Sequence, residues 1–306
     1  MANNWGKIYE STAWGSGVTD NNISWGKSYA DLAGGGGTPF VGLLDTYSGA
    51  AAAYSLRQLS STYSGNAIKV RRASDNAEQD IAFSNNELDT ATLESFASGT
   101  DAFVTTWYDQ SGNGYNLTQS TASEQSKIVA SGSTILEGGK PCVDYNINSY
   151  SASYEMSDDS NFLISMVFRV DVQNQNNPRY LALVSSSVNL QVGHNLDSKY
   201  FIRKDSVSTI TNNAYTTNGG QNLLSWGASS NSLYFGLNGS NVAFSNNGAP
   251  TADSVQGNGV TLFKGYEPNG YYAQEGTIQE LIIYEVDEST NQSGIETNIN
   301  DYYSIY

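Results

Sequence analysis

Ile278-Gln279-Glu280-Leu281-Ile282-Ile283-Tyr284 reads as a central β-strand, and the fold class follows from it. The run is apolar enough for a central strand. Working back from it, further strand candidates fall at residues 142–145, 153–156, 162–172, 180–184, 189–192, 200–203, 222–226, 232–237, 242–244 and 260–263. Leu237-Asn238-Gly239-Ser240 sets Asn-Gly between two of them, a hairpin signal. Beyond the central strand, residues 293–303 read as a closing helix. In the first half, residues 67–70, 81–83 and 103–108 read as strands, residues 50–59 as a helix, and residues 89–97 as a short helix with Asp89 or Thr90 as N-cap. Many short strands joined by small polar loops predict an all-β fold of two packed antiparallel sheets with short peripheral helices.

Residues 1–33 differ from the rest. Asn4-Trp5-Gly6-Lys7-Ile8-Tyr9 returns as Ser24-Trp25-Gly26-Lys27-Ser28-Tyr29, with Trp14-Gly15 between them. The segment is too short to bury three indoles alone. The reading is an extended N-terminal arm that seats Trp5, Tyr9, Trp14, Trp25 and Tyr29 in a partner or a neighbouring subunit, since aromatic side chains are favoured interface anchors. An edge-strand pair folded back on the sandwich is the alternative. Gly34 to Gly37 form a flexible hinge, and 38–306 is one sandwich with a candidate sub-boundary near 138.

Charged residues make up 14% of the chain and aromatic ones 12%, and the formal net charge is -16. Such acidity excludes a nucleic-acid partner, which needs clustered Lys and Arg. The one tight basic cluster, Lys69, Arg71 and Arg72, alternates like a strand and suits pairing with Asp75 or Asp80. The single cysteine, Cys142, excludes an intrachain disulfide and reads as a core residue. No run approaches a membrane span and the start, Met1-Ala2-Asn3-Asn4, lacks a signal-peptide pattern, so neither a membrane nor export by that route is expected.

Two family resemblances emerge. Asp45-Thr46-Tyr47-Ser48-Gly49, Ile68-Lys69-Val70-Arg71-Arg72, Ser74-Asp75, Asp80-Ile81 and above all Trp107-Tyr108-Asp109-Gln110-Ser111-Gly112-Asn113-Gly114, followed by Asn116-Leu117-Thr118-Gln119, resemble the N-terminal part of the α-L-arabinofuranosidase B catalytic domain. The same block resembles segments of bacteriophage structural proteins, as the Trp-Gly arm resembles phage tail and appendage N-termini. From Lys140 to the end, Lys140-Pro141-Cys142-Val143-Asp144-Tyr145 and the strand-plus-helix finish resemble a concanavalin A-like (laminin G-like) domain. That resemblance implies a jelly-roll sandwich.

The arabinofuranosidase likeness fades after Gln119, and the paired cysteines of that family's sugar pocket are missing, so it supplies no catalytic residue. Asp109, Gly112 and Gly114 read as a structural turn in which the carboxylate accepts backbone hydrogen bonds. The trio Glu285-Val286-Asp287-Glu288 reads as a solvated loop, and His194 as a strand-end residue without the partners of a zinc site or triad. No metal or other cofactor is expected. Asp144, Asp158, Asp159 and Asp253 are the acids available to calcium, and none has the spacing of a dedicated loop. For sugars, the candidates are Trp226 and the loop residues Tyr266, Asn269, Tyr271 and Tyr272. Taken together, the sequence predicts a non-enzymatic phage virion protein, a homo-oligomeric (trimeric) tail, fibre or head appendage. Its arm would bind other virion proteins, and its lectin-like sandwich would face host-surface glycan. The alternatives are a glycoside hydrolase of the arabinofuranosidase type and a cellular carbohydrate-binding adhesion module.

Overall fold

The computed structural model describes residues 39–146, 150–157, 159–171, 179–184, 189–194, 199–204, 207–211, 220–245, 259–262 and 275–306. The chain divides into two compact units, Met1–Val41 and Gly42–Tyr306, and the second carries the strands that follow.

Glu275–Tyr284 is the axis of the first sheet. On one side it pairs with Phe162–Val170. On the other, Ala52–Ser55 and Val143–Asn146 follow one another along its length. Phe162–Val170 continues outward to Asn222–Ser229 and then Ser232–Leu237, all antiparallel. One face of this sheet looks into the core with Ile164, Met166, Phe168, Ile278, Leu281 and Ile283. The other buries Leu163, Val167, Leu223, Ile282 and Tyr284 against Ile295, Ile299 and Tyr303 of the closing helix, Gln292–Tyr303. Coverage on both faces is why apolar residues fill both parities of the central strand.

The second sheet runs Glu78–Ile81, Ile68–Arg72, Ala102–Trp107, Leu117–Thr118, Tyr150–Ala152, Gly259–Leu262, Arg179–Val184, Asn189–His194, Tyr200–Lys204 and Val207–Thr211. Its Val70, Val104, Trp107, Leu183 and Val192 meet the inner residues of the first sheet in one apolar cluster. Edge-to-face contact of Tyr54 with Trp107, centroids 6.4 Å apart, joins the layers. The architecture is thus a predominantly antiparallel β-sandwich with a few short helices. Among the described residues no helix is long and apolar enough to cross a membrane.

Residues 50–59 are not helical. Ala52–Ser55 is a strand with four consecutive buried residues, laid against the central strand. Helix propensity is a weak prior, and here tertiary pairing overrides it, small side chains letting a strand pack on both faces. Elsewhere local chemistry decides. Asp89 caps the Thr90–Ala97 helix, its Oδ1 accepting from Thr92 N at 3.0 Å. The 237–240 hairpin has Asn238 and Gly239 at φ 49° and 72°, the left-handed pair its tight turn requires.

Candidate functional site

Trp107-Tyr108-Asp109-Gln110-Ser111-Gly112-Asn113-Gly114 folds into a knot of side-chain-to-backbone hydrogen bonds. Asp109 is buried; its Oδ1 accepts from Ala53 N and Ser111 N, both at 2.9 Å, and its Oδ2 from Ser111 Oγ at 2.8 Å and Tyr115 N at 3.0 Å. Gln110 accepts from Leu59 N at 2.8 Å and donates to the carbonyls of Ser55 and Arg57, each at 3.0 Å. Gly112 and Gly114 take φ of 90° and 80°, where only glycine is unstrained. Asp109 and Gln110 therefore substitute for the missing neighbour along the free side of the Ala52–Ser55 strand. All four of these hydrogen bonds go to the scaffold, and they tie the Ala52–Ser55 strand to the turn.

A row of residues lies in register across the second sheet. From the Glu78–Ile81 edge it runs Asp80, Lys69, Thr106, Thr118, Ser151, Thr261, Ala182, Gln191, Arg203 and Ser208. All but Ala182 are polar. Ile68, Ile81, Trp107 and Leu117, adjacent in sequence to the row, point into the core, so by strand alternation its Asp80, Lys69, Thr106 and Thr118 occupy the opposite face. Asp80, Thr118 and Ser151 are exposed, Lys69 and Thr106 half-buried, Ala182 and Gln191 buried. Over its first part, Asp80, Lys69, Thr106, Thr118 and Ser151, this polar track offers hydrogen-bond donors and acceptors at strand spacing, which suits a polyhydroxylated chain.

The remaining acids are largely committed. Glu280 is buried against Arg57, as taken up below. Glu285 accepts from Tyr154 Oη at 3.0 Å and Ser157 Oγ at 2.6 Å, Asp287 from Ser229 Oγ at 2.6 Å and Ser289 N at 3.0 Å, and Glu288 from Asn291 Nδ2 at 2.6 Å. Arg72 pairs with Asp75 at 2.6 Å, whereas Arg71 bonds Gln125 and Asn76. Asp144 differs: burial, then the nearby Asp171 carboxylate, pushes its carboxyl above the ordinary value. Burial also pushes the Cys142 thiol up to about 12, with Glu137 and Asp144 adding to it. His194 is buried, hydrogen-bonded through Nδ1 to the Tyr180 hydroxyl, and burial lowers its pKa to about 4. Among the described residues no group of three or more His, Cys, Asp or Glu is placed to hold a metal ion.

Trp226 is not a sugar platform. It is fully buried in the core beside its cross-strand partner Phe235, and its Nε1 lacks a hydrogen-bond partner. Its position on the inward face of Asn222–Ser229 decides this, since alternation sends Leu224, Trp226 and Ala228 the same way. Tyr266, Asn269, Tyr271 and Tyr272 lie outside the described residues. So do Trp5, Tyr9, Trp14, Trp25 and Tyr29, together with Asp158 and Asp253. The polar track is not legible in the sequence, because alternation tells which face a residue takes but not which residues of ten strands align.

Comparison with known proteins bears on the same region. Residues 31–155 match the family model of the α-L-arabinofuranosidase B catalytic domain. Two curated relatives, probable α-L-arabinofuranosidases B of Aspergillus fumigatus and Aspergillus flavus, are 41% and 40% identical over 91 residues. That stretch is 29% of this chain and only 16% of either relative. Among solved structures, a GH54 α-L-arabinofuranosidase soaked with a cyclic sulfate inhibitor aligns at a TM-score of 0.58 and 17% identity, covering 84% of this chain and 64% of that one. An arabinofuranosidase complexed with arabinofuranosyl-α-1,2-xylobiose aligns at 0.53 and 16%, covering 82% and 62%. At such identities these two likenesses concern the fold.

These matches overturn the expectation of a non-enzymatic phage tail, fibre or head-appendage protein and, with it, the virion localisation. The matched family model, both curated relatives and both structures are arabinofuranosidases. The 107–119 run that resembles this family lies within the matched stretch.

Proposed function

We propose that the body is a glycoside hydrolase of the arabinofuranosidase B type, releasing arabinofuranosyl groups from a glycan, on a concanavalin A-like jelly-roll scaffold. The observation that carries this reading is the family-model match over residues 31–155, which encloses the Asp109 knot and the Ala52–Ser55 strand it braces. Glycoside hydrolysis needs two carboxyl groups flanking the glycosidic bond, one to protonate the leaving oxygen and one to act as nucleophile or to activate water. Asp109, Glu280 and Asp287 are held by structural hydrogen bonds and are poor choices. Glu267 lies among Tyr266, Asn269, Tyr271 and Tyr272, in the segment that joins the Gly259–Leu262 strand of the polar track to the central strand. On the strength of these sequence neighbours, Glu267 is put first among candidate acids and the three tyrosines as sugar contacts. The Trp-Gly arm keeps the role of a fastening segment.

The test is incubation of the purified full chain with 4-nitrophenyl α-L-arabinofuranoside. Release of nitrophenolate over repeated turnovers is expected, and loss of at least about a hundredfold in Glu267→Gln. A well-folded wild-type chain that releases none sinks the reading.

A further inference from the structure

Tyr63 and Tyr108 stand half-buried at the Asp80 end of the polar track, and a third ring, Phe83, packs against the core and meets Tyr63. Each comes from a different approach to the sheet: Tyr63 from the loop before Ile68–Arg72, Phe83 just after Glu78–Ile81, and Tyr108 just after Ala102–Trp107. Antiparallel pairing of Ile68 with both Ile81 and Trp107 brings these three points together. Tyr63 and Phe83 meet edge to face, centroids 6.2 Å apart at 74°.

The rings are held before any ligand arrives. Tyr108 Oη donates to Asp80 Oδ1 at 2.6 Å, and Tyr63 Oη donates to the Asn66 carbonyl at 2.9 Å. A Cβ on Gly65 would sit 2.6 Å from Tyr63 Cζ, so the absence of a side chain there lets the ring lie close against the loop. Fixed aromatic side chains lose little freedom on binding, which is what a recognition surface requires.

Charge narrows the partner. In register, Lys69 faces Asp80 and Arg71 faces Glu78, so the patch is balanced, and the chain as a whole is strongly acidic. A polyanion would be repelled by the chain without a local basic patch to compensate. A neutral polyhydroxylated chain, with C–H faces for rings and hydroxyls for Asp80, Lys69, Thr106, Thr118 and Ser151, fits both features.

We propose that this face binds the backbone of a neutral, arabinose-bearing polysaccharide, gripping it at Tyr63 and Tyr108 and leading it along the track past Thr118 and Ser151. The choice of polysaccharide rests on the hydrolase reading; the binding surface itself does not.

Native electrophoresis of the full chain in gels containing soluble arabinoxylan tests it. The wild type is expected to be retarded. The Tyr63→Ala/Tyr108→Ala double variant should weaken apparent affinity by about tenfold. Thr118→Arg, which obstructs the exposed track without touching a ring, should also weaken it. Thermal unfolding shows which variants remain folded, and if the double variant does not, Thr118→Arg decides. Absence of retardation in the wild type, or retardation undiminished in every folded variant, overturns the proposal. Nitrophenolate release is read separately: release without retardation removes this surface alone, whereas retardation without release removes the hydrolase reading and leaves the surface standing.

Discussion

Arg57 and Glu280, 223 residues apart in sequence, form a buried two-pronged ion pair, Nε to Oε2 at 2.8 Å and Nη2 to Oε1 at 2.9 Å. Glu280 Oε2 also accepts from Ser55 Oγ at 2.7 Å and Tyr303 Oη at 3.2 Å, while Arg57 donates to Asn298 Oδ1 at 3.1 Å and lies 4.7 Å from the Tyr302 ring centroid. One contact thus joins the segment that matches the arabinofuranosidase model, the central strand and the closing helix. Removing one partner leaves the other charged and dry. Glu280→Gln or Arg57→Met is expected to cost about 3–5 kcal/mol in urea unfolding, whereas Arg57→Met with Glu280→Leu should recover much of the loss. A double variant no better than the singles would contradict this.

Asp109 supports a different join. Its carboxylate satisfies the backbone N–H groups of Ala53, Ser111 and Tyr115. Asp109→Ala strands all three, one of them at the free side of a buried strand, and should destabilise by about 3 kcal/mol or more. Asp109→Asn retains one acceptor and should cost less. Equal denaturation midpoints for Asp109→Ala and the wild type would remove the knot's structural role.

His194 sets an acid limit. Its folded pKa of about 4 lies below the unfolded value of about 6.5. As pH falls through 6.5 the unfolded chain gains a proton that the folded chain refuses until about 4. Stability is therefore lost progressively across that window, on the order of 3 kcal/mol in all, and no further below it. His194→Gln should flatten this part of the stability-against-pH curve. An unchanged slope would show that other groups carry it.

Much of this fold is legible in the sequence where local chemistry is strong. The apolar 278–284 run announces a central strand, Asp89 marks a helix start, and Asn238-Gly239 marks a hairpin. Ala50 to Leu59 misleads because alanines suit a helix and also a strand pressed between layers; only the distant pairing with Ile283 and Leu281 settles which. Trp226 misleads because an indole signals sugar stacking and core filling alike, and alternation against Leu224 and Ala228 is the clue that separates them. The polar track is a property of register across strands remote in sequence, and no single strand displays it. For the candidate site, the Trp107–Gly114 run lies within the stretch that matches the family model, while its Asp109 and Gln110 side chains serve the scaffold.

Catalysis is tested most directly by following free arabinose released from arabinoxylan by the purified wild-type chain, with Glu267→Gln in parallel and folding of both verified by circular dichroism. Steady release exceeding one equivalent per chain, lost in the variant, is the expected result. No release from a folded wild-type chain would contradict the hydrolase reading, and release undiminished in Glu267→Gln would remove that residue from the chemistry.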